Sequence, residues 1–249
     1  MLGSEKPLIL QFISPAGFND FGGVDRYNNL VEELSSVTLV VAHPDDEVMF
    51  FSPTLAQFDE MFPRDVPVNV VCMTSGDADG LGHIRKQELI ESLQILLHGR
   101  KFSCEVLDFE DGIDVVWDQQ AVQKQLASSI RDSNPLVLTF DQFGVSGHVN
   151  HISCADAVKS LPYLHKLHLR SDQPLYVKYS AFITGIVKLA VGTFYTGIER
   201  PRYFVSTLPQ YLLSVSAMSL AHASQMVWFR VGWWLFSRFC FINELIPTF

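Results

Sequence analysis

The stretch Val37–Leu55, VTLVVAHPDDEVMFFSPTL, sets a group of charged residues between two apolar runs. Its first part, VTLVVA, is rich in β-branched residues, which is typical of a buried strand. The part from about residue 47 to residue 61 predicts a helix. Between them lie His43 and three acids, Asp45, Asp46 and Glu47. Because adjacent carboxylates repel one another and are costly to desolvate, this arrangement indicates a bound cation or a proton-transfer task.

Strand and helix patterns continue to alternate downstream of this stretch. The later segments are VNVVCMT, a helix over residues 84–97, SCEVLDF, a helix over about residues 120–131, and PLVLTFD. Such alternation indicates parallel strands joined by right-handed helical crossovers. We therefore predict an α/β fold with a mostly parallel open sheet flanked by helices. We expect residues 1–36 to form an irregular lead-in and residues 37–249 to form a single domain.

The polar motifs all follow predicted strands. HPDDE comes after the first strand, TSGDADGLG after the second, and DQFGVSGHVNH after the strand that ends near Phe140. In open α/β sheets the ligand crevice lies outside the carboxyl ends of the strands. We therefore expect these three loops to converge on one active site at that edge of the sheet.

The residue types in two of these loops suit a divalent metal ion. His43 and Asp46 are three residues apart in a strand-to-helix turn, and His148 and His151 are three apart where a helix should begin. A hydrolytic zinc site takes three N/O ligands and keeps a fourth position for water, so one pair and one member of the other would fill it. Asp45 would then be free to accept a proton from that water.

Simpler alternatives exist for each half of this site. The acids could cap a helix N-terminus, although capping accounts for only one of the three. The histidine pair could be polar surface, which is our interpretation of His165 and His168 at the same spacing. Cys154 lies three residues beyond His151, and we interpret it as a small buried side chain rather than as a ligand.

The glycine-rich segment GDADG, Gly76–Gly80, predicts a tight loop rather than a calcium site, because it lacks the distal ligands of an EF-hand. Arg85 and Lys86 at the start of the following helix can meet a phosphate or sugar hydroxyls. With Asp79 they are our candidate substrate contacts. The alternative is an ordinary salt-bridged helix surface.

Composition excludes several functional classes. A net charge of −9 disfavours a nucleic-acid binder, which needs a basic face. The four cysteines form no CxxC pair, so neither a disulfide scaffold nor a thiolate zinc cage is indicated. The sequence contains no GxSxG or P-loop motif. With 48% hydrophobic and 18% charged residues the chain is more apolar than an average soluble domain, which leaves surface for lipid or a partner.

Three segments resemble, in order, the signature blocks of the PIG-L/LmbE-like zinc-dependent de-N-acetylases: AHPDDE (42–47), TSGDADGLGHIRKQEL (74–89) and GVSGHVNH (144–151). The segments HASQMVWFR (222–230) and FSRFCFIN (236–243) resemble the eukaryotic branch of that family. The resemblance implies a Rossmann-like sheet and removal of acetate from GlcNAc-phosphatidylinositol. That reaction is the second step of glycosylphosphatidylinositol (GPI) anchor biosynthesis and takes place at the cytoplasmic face of the endoplasmic reticulum membrane.

The resemblance also implies a role for particular residues. The implied zinc ligands are His43, Asp46 and His151, although the same atoms would accept iron or cobalt. Asp45 would be the general base, and His148 the protonated group that steadies the oxyanion or assists departure of the amine. Arg85 resembles the substrate-phosphate or sugar contact. Asp141 is the expected hydrogen-bond partner of a metal-bound histidine.

Attachment to a membrane is the point on which the sequence departs from the eukaryotic branch, whose members typically begin with a membrane-spanning helix. The N-terminal apolar run PLILQFI is too short to span a bilayer. Residues 181–195 and 231–241 are apolar and aromatic, which suits either a membrane interface or core packing. The alternative functions are a soluble deacetylase of another small GlcNAc conjugate, a catalytically silent glycan-binding homologue, or a scaffold subunit of a membrane complex.

Overall fold

A seven-stranded sheet forms the centre of the computed structural model, which describes residues 34–179 and 202–248. The strand order is β3-β2-β1-β4-β5-β7-β6. The first five strands run parallel, and β7 is antiparallel to both of its neighbours. The strands are β1 Ser36–Val41, β2 Val68–Cys72, β3 Phe102–Val106, β4 Pro135–Phe140, β5 His165–Leu169, β6 Arg202–Val205 and β7 Ile242–Pro247.

Helices cover the sheet, with α4, α5 and α7 the longest among the described residues. Their bounds are α1 Asp46–Phe50, α2 Ser52–Leu55, α3 Phe58–Met61, α4 Gly82–Leu96, α5 Gln119–Ser129, α6 Gly144–Gly147, α7 Val149–Ser160, α8 Leu175–Lys178, α9 Leu208–Ser216 and α10 Trp228–Phe236. The α/β fold with a mostly parallel sheet is therefore confirmed.

The single helix predicted over residues 47–61 is wrong, because three short helices occupy that range. Pro53 lies in the first turn of α2. Proline has no backbone N–H and its ring clashes with the carbonyl four residues earlier, so a helix cannot continue through it without a break. The break separates α1, which contains Asp46 and Glu47, from α2, whose residues are buried in the core.

The two central strands, β1 and β4, lie where the apolar runs VTLVVA and PLVLTFD predicted strands. All six residues of each strand are buried, as is usual where helices cover both faces of a parallel sheet. The chain goes out from β1 to β2 and β3, and then returns to place β4 on the other side of β1. The point between β1 and β4 is therefore the place where a sheet of this kind binds ligands.

The C-terminal part adds an antiparallel edge through β7 and β6. His165 and His168, interpreted from sequence as solvated surface, lie in β5 and are partly buried, with the His168 Nδ1 atom 3.1 Å from the Thr248 hydroxyl. Across the described residues, no helix is long and apolar enough to cross a membrane. The candidate segment 181–195 and nearly all of the predicted lead-in lie outside the described residues, so the domain boundary stays a prediction.

Candidate active site

The loops after β1 and β4 bring three of the predicted residues together. His43 and Asp46 follow β1, and His151 lies in the first turn of α7, which follows β4. One side-chain ligand atom from each lies within 4.8 Å of the others. Two imidazole nitrogens and a carboxylate oxygen form a donor set that suits zinc and related divalent ions. The sequence thus correctly predicted that these three side chains meet.

The Asp46 and His151 side chains are held in place by backbone groups. Asp46 Oδ2 accepts hydrogen bonds from the backbone N–H groups of Ala42, at 3.0 Å, and of His43, at 2.8 Å. Its other oxygen lies 3.2 Å from His151 Nε2. His151 Nδ1 is 3.1 Å from the Gly144 carbonyl oxygen, so Nδ1 carries the hydrogen and Nε2 faces the other two ligands. Such outer hydrogen bonds fix the tautomer that a metal-binding histidine needs.

His43 links the site to the loop after β3. Its Nε2 lies 3.1 Å from Asn150 Oδ1 and 3.3 Å from Asp111 Oδ1. Burial opposes protonation of His43, but Asp111 and Asp46 outweigh it and raise the pKa of the imidazole to about 10. The carboxylates around this ring therefore favour positive charge. The site as a whole fits a cation, because a divalent ion can take the place of that proton.

Asp45 pairs with Arg230 and is not a member of the ligand group, although it is the neighbour of Asp46. Its φ of 125° is in the region that L-residues rarely adopt, and its carboxylate lies 2.5 Å from Arg230 Nη2. Strained backbone of this kind persists only where surrounding contacts enforce it. Burial raises the pKa of Asp45, and the Arg230 charge opposes that rise. The backbone thus gives the two adjacent acids different surroundings.

Buried polar side chains next to Asp45 stabilise this backbone conformation. The Asp45 N–H donates to Glu47 Oε2 at 3.0 Å. Glu47 Oε1 in turn accepts from the Ser92 hydroxyl at 2.6 Å and lies 2.6 Å from His222 Nε2. Both the Glu47 and His222 side chains are fully buried. Burial would lower the pKa of His222, but Glu47 reverses the effect and raises it.

His148 is the N-cap residue of α7, and its surroundings affect its protonation. Its Nδ1 accepts a hydrogen bond from the Asn150 N–H at 3.3 Å, and its ring lies 4.8 Å from those of His43 and His151. Burial and the neighbouring histidine charges lower the pKa of His148 to about 4. This lowered pKa favours a neutral ring, whereas the resemblance implied a protonated one. Because Nδ1 accepts, Nε2 carries a hydrogen and can still donate to an oxygen.

Of the three candidate substrate contacts, two meet at the rim and one does not. Arg85 Nη1 donates to the Gly76 carbonyl at 2.6 Å and lies 4.0 Å from Asp111, while Arg85 Nη2 is 3.2 Å from Asp79. The Asp79 side chain is exposed beside it. Lys86 is turned to Asp108, 3.1 Å away, and takes no part in this group.

Asp141 does not play its expected role. Its oxygens accept from the Ser171 N–H at 2.5 Å, the Ser171 hydroxyl at 2.6 Å and the Phe143 N–H at 3.2 Å. The acid therefore ties the end of β4 to the turn after β5. His151 is instead oriented by the Gly144 carbonyl, which can approach because Gly144 has φ 54° and a Cβ there would lie 2.9 Å from Ile152.

Sequence reasoning missed Arg230, His222 and Asp111 as members of the site. Arg230 and Asp45 are 185 positions apart, and His222 and Glu47 are 175 apart. No local spacing connects such pairs. The only available signal for Arg230 and His222 was that both lie in the segment HASQMVWFR, one of the two C-terminal segments that carry the eukaryotic resemblance.

Comparisons with known proteins match the family whose signature blocks the sequence resembles. The family model for PIG-L, GlcNAc-PI de-N-acetylase, matches residues 38–161. The N-acetylglucosaminyl-phosphatidylinositol de-N-acetylase of Saccharomyces cerevisiae is 41% identical, over 84% of this chain and 80% of the relative. That of Bos taurus is 34% identical, over 85% and 83%.

The fold is shared with a solved structure. The N,N'-diacetylchitobiose deacetylase from Pyrococcus horikoshii superposes with a TM-score of 0.56 at 19% identity, and the match covers 96% of this chain and 88% of that one.

Proposed function

The chain belongs to the PIG-L family of GlcNAc-PI de-N-acetylases, and from this premise we propose that it hydrolyses the N-acetyl group of GlcNAc-phosphatidylinositol. The products are GlcN-phosphatidylinositol and acetate, which makes this the second step of GPI-anchor biosynthesis. The observation that carries the proposal is the meeting of His43, Asp46 and His151, with Asp45 beside them, at the carboxyl ends of β1 and β4.

In this proposal His43, Asp46 and His151 hold Zn²⁺ or another divalent ion. Support comes from the three N/O donors, from the oriented His151 ring and from the carboxylates that favour positive charge around His43. A bound cation would supply Lewis-acid activation of a water molecule and of the substrate carbonyl.

Asp45 acts as general base, because it is an acid next to the ligand group that is not itself required as a ligand. It takes a proton from the water whose oxygen attacks the acetamide carbon. Burial raises the pKa of Asp45, which makes a carboxylate a stronger base, and the Arg230 charge opposes that rise. The proton is then passed to the amine as the C–N bond breaks.

His148 stabilises the charge that develops on the carbonyl oxygen. Its Nε2 hydrogen is free to donate because Nδ1 is occupied by the Asn150 N–H. A neutral donor aimed at an oxyanion acts most strongly in the transition state. Arg85 and Asp79 at the rim would contact the sugar hydroxyls or the phosphate of the substrate, and Lys86 is left out of this role because it pairs with Asp108.

The substrate places the reaction at a membrane, and we assign it to the cytoplasmic face of the endoplasmic reticulum. The curated relatives named above support the glycolipid assignment. A water-soluble GlcNAc conjugate is the competing substrate class, since the Pyrococcus protein that shares the fold is named for N,N'-diacetylchitobiose.

The test is acetate release by the purified chain from synthetic GlcNAc-phosphatidylinositol and from N,N'-diacetylchitobiose. Metal-stripped and zinc-restored samples are compared with Asp45→Asn, and Asp108→Asn is the matched control because Asp108 is an exposed acid paired with Lys86. We expect zinc-dependent release from the glycolipid that falls by about 100-fold or more in Asp45→Asn and is unchanged in Asp108→Asn. Release from the disaccharide alone, or equal activity in both variants, would contradict the assignment.

A further inference from the structure

Helix α10 turns a row of large apolar side chains outward. Trp228 is 86% exposed, and Phe229, Val231, Leu235 and Phe236 are each about half exposed. We call these five residues the apolar face. Large apolar side chains collected on one surface usually mark an interaction site.

The opposite side of α10 is packed into the protein and reaches the catalytic centre. Its inward positions, Arg230, Trp233 and Trp234, with Ser237 directly after the helix, follow the three- and four-residue spacing of one helix face. Arg230 holds the Asp45 carboxylate at 2.5 Å, and Trp233 Nε1 donates to the Met49 carbonyl at 3.3 Å. The apolar face is thus the outer surface of the helix whose inner surface holds the proposed general base.

Neighbouring elements continue the exposed apolar surface. Tyr211 in α9 donates to the Trp234 carbonyl at 2.9 Å, and the next residue, Leu212, is exposed. On another side, the Tyr179 ring lies 6.1 Å from that of Trp233, and the nearby Tyr176 is 75% exposed. Tryptophan and tyrosine are the residues that favour the boundary between lipid headgroups and acyl chains.

Charge on this part of the chain also suits a lipid surface. Residues 200–243 contain four arginines and no aspartate or glutamate, although the whole chain has 27 acids and a net charge of −9. An acidic surface would be repelled by the anionic lipids of a cytoplasmic leaflet, whereas one without acids is not. A segment without acids is therefore better suited to approach such a leaflet than the acidic remainder of the chain.

We propose that the apolar face of α10 docks on the surface of the lipid bilayer that holds the substrate, so that the glycolipid headgroup enters the site beside Arg230. This inference rests on the proposed function, because it takes the substrate to be a lipid. The chain would lie on the bilayer with aromatic side chains inserted at headgroup depth. Because α10 would contact the bilayer with one face and Asp45 with the other, the site would lie close to the lipid headgroups.

The experiment uses vesicles of phosphatidylcholine, with and without one-fifth phosphatidylinositol, and the double variant Trp228→Ser/Phe236→Ser. Leu164→Ser is the matched control, since Leu164 is 86% exposed and directly precedes β5, at the amino ends of the parallel strands, away from the site. Three quantities are measured: co-sedimentation with vesicles, acetate release from GlcNAc-phosphatidylinositol in vesicles, and acetate release from an acyl-free GlcNAc-inositol phosphate.

We expect the double variant to lose about tenfold or more in vesicle binding and in turnover of the vesicle substrate, because two inserted aromatic side chains contribute at least a tenfold partition. Turnover of the acyl-free substrate should match that of the wild type and of Leu164→Ser. Unchanged vesicle binding in the double variant, or none in the wild type, would overturn the proposal. So would a wild-type dimer that the double variant dissociates without change in vesicle binding.

The two proposals fail separately. If neither substrate releases acetate but vesicle binding still depends on Trp228 and Phe236, the docking surface stands and the proposed reaction falls. If the acyl-free substrate is hydrolysed equally by all three proteins while vesicle binding is indifferent to the apolar face, the reaction stands and the docking surface falls.

Discussion

At the scale of single residues, the site depends on two adjacent acids that the backbone turns in different directions. Asp46 accepts two backbone N–H groups and faces His151, whereas Asp45, at φ 125°, faces Arg230. Because one carboxylate is committed to the ligand group and the other is not, substitution at each should remove a different property. Arg230 contributes to this difference, because its charge opposes the rise that burial causes in the pKa of Asp45.

Replacing Arg230 with Gln should therefore move the pH profile of the reaction. Without the arginine charge the pKa of Asp45 should rise further, so that more of the proposed base is protonated at a given pH and the acidic limb of kcat shifts to higher pH. We expect kcat at pH 7 to fall by about 10- to 100-fold, with partial recovery on raising the pH. The measurement is kcat against pH for Arg230→Gln, Arg230→Lys and wild type.

Arg64→Gln is the control for that series, because Arg64 also pairs with an aspartate but is largely exposed. Arg230→Lys should recover part of the activity, since it restores the charge but not the geometry of the guanidinium. A uniform loss across all pH values in Arg230→Gln would mean that Arg230 only supports the structure.

Gly76 is a second residue at which local geometry reaches the site. Its φ is 70°, and a Cβ there would lie 3.0 Å from Arg85 Cδ and 3.2 Å from Pro44. Gly80 has nearly the same φ, 73°, but nothing lies within 4 Å of a Cβ at that position. Alanine at either site should cost about 1–2 kcal/mol in unfolding free energy from backbone strain. Only Gly76→Ala should also displace Arg85.

The consequence is measured by comparing KM and thermal unfolding of the two alanine variants. Gly76→Ala should raise KM by about tenfold, because a charge-assisted hydrogen bond to substrate contributes enough for that factor. Gly80→Ala should lose similar stability with KM unchanged. Equal KM values in the two variants would show that Arg85 does not contact the substrate.

At the scale of elements, the segment between α9 and α10 is held by hydrogen bonds to helix α4 and to the HPDDE loop. Glu88 in α4 accepts from the Ser224 N–H and hydroxyl, each at 2.7 Å. Ser92 in the same helix and His222 both contact Glu47 Oε1 at 2.6 Å. Glu47, Ser92 and His222 therefore form one buried polar group, and the Glu88–Ser224 contacts hold the same segment to α4. Removing one member leaves the others unsatisfied, which is costly in the interior.

Stability should depend on pH through His222. Because Glu47 raises its folded-state pKa above the unfolded value near 6.5, the pair contributes stability that is fully present below about pH 6.5 and is lost as pH rises through the folded pKa. We expect the unfolding free energy of wild type minus that of His222→Gln to be largest at acid pH and to shrink on the alkaline side. Denaturant unfolding of both proteins from pH 5 to pH 9 measures it.

The same titration on Gln225→Glu tests the direction of the effect. Gln225 Nε2 lies 3.0 Å from His222 Nδ1, so a second carboxylate there should extend the stabilised range to higher pH. A difference between wild type and His222→Gln that grows with pH would contradict the assigned shift.

At the scale of the whole molecule, the sequence predicted those features that local patterns encode. β1 and β4 are continuous apolar runs because both faces of the central sheet are covered, and the loops after them must share one edge. The contacts Arg230–Asp45 and His222–Glu47 were missed because they join distant parts of the chain. Asp141 was misassigned because its partner, Ser171, follows β5, which was not predicted as a strand.

A metal ion at the proposed site should also affect the stability of the whole molecule, because the proposed ligands come from two separate parts of the sheet. His43 and Asp46 follow β1 and His151 follows β4, so the bound ion joins elements that separate on unfolding. An ion that binds only the folded state stabilises it by about 4 kcal/mol at a free concentration about 1,000 times Kd. We expect zinc to raise Tm of the metal-stripped chain by roughly 10 °C.

Variants at the two adjacent acids decide whether this stabilisation comes from the proposed site. Asp46→Ala should abolish the zinc-induced rise in Tm, because it removes a ligand. Asp45→Asn should keep the rise, even though its acetate release is lost, because Asp45 faces Arg230 rather than the ligand group. Calorimetry with added zinc, compared with the same samples in chelator, measures the rise for each protein. A rise of equal size in Asp46→Ala and wild type would place the zinc elsewhere, whereas loss of the rise in both variants would mean that the two acids bind the ion together.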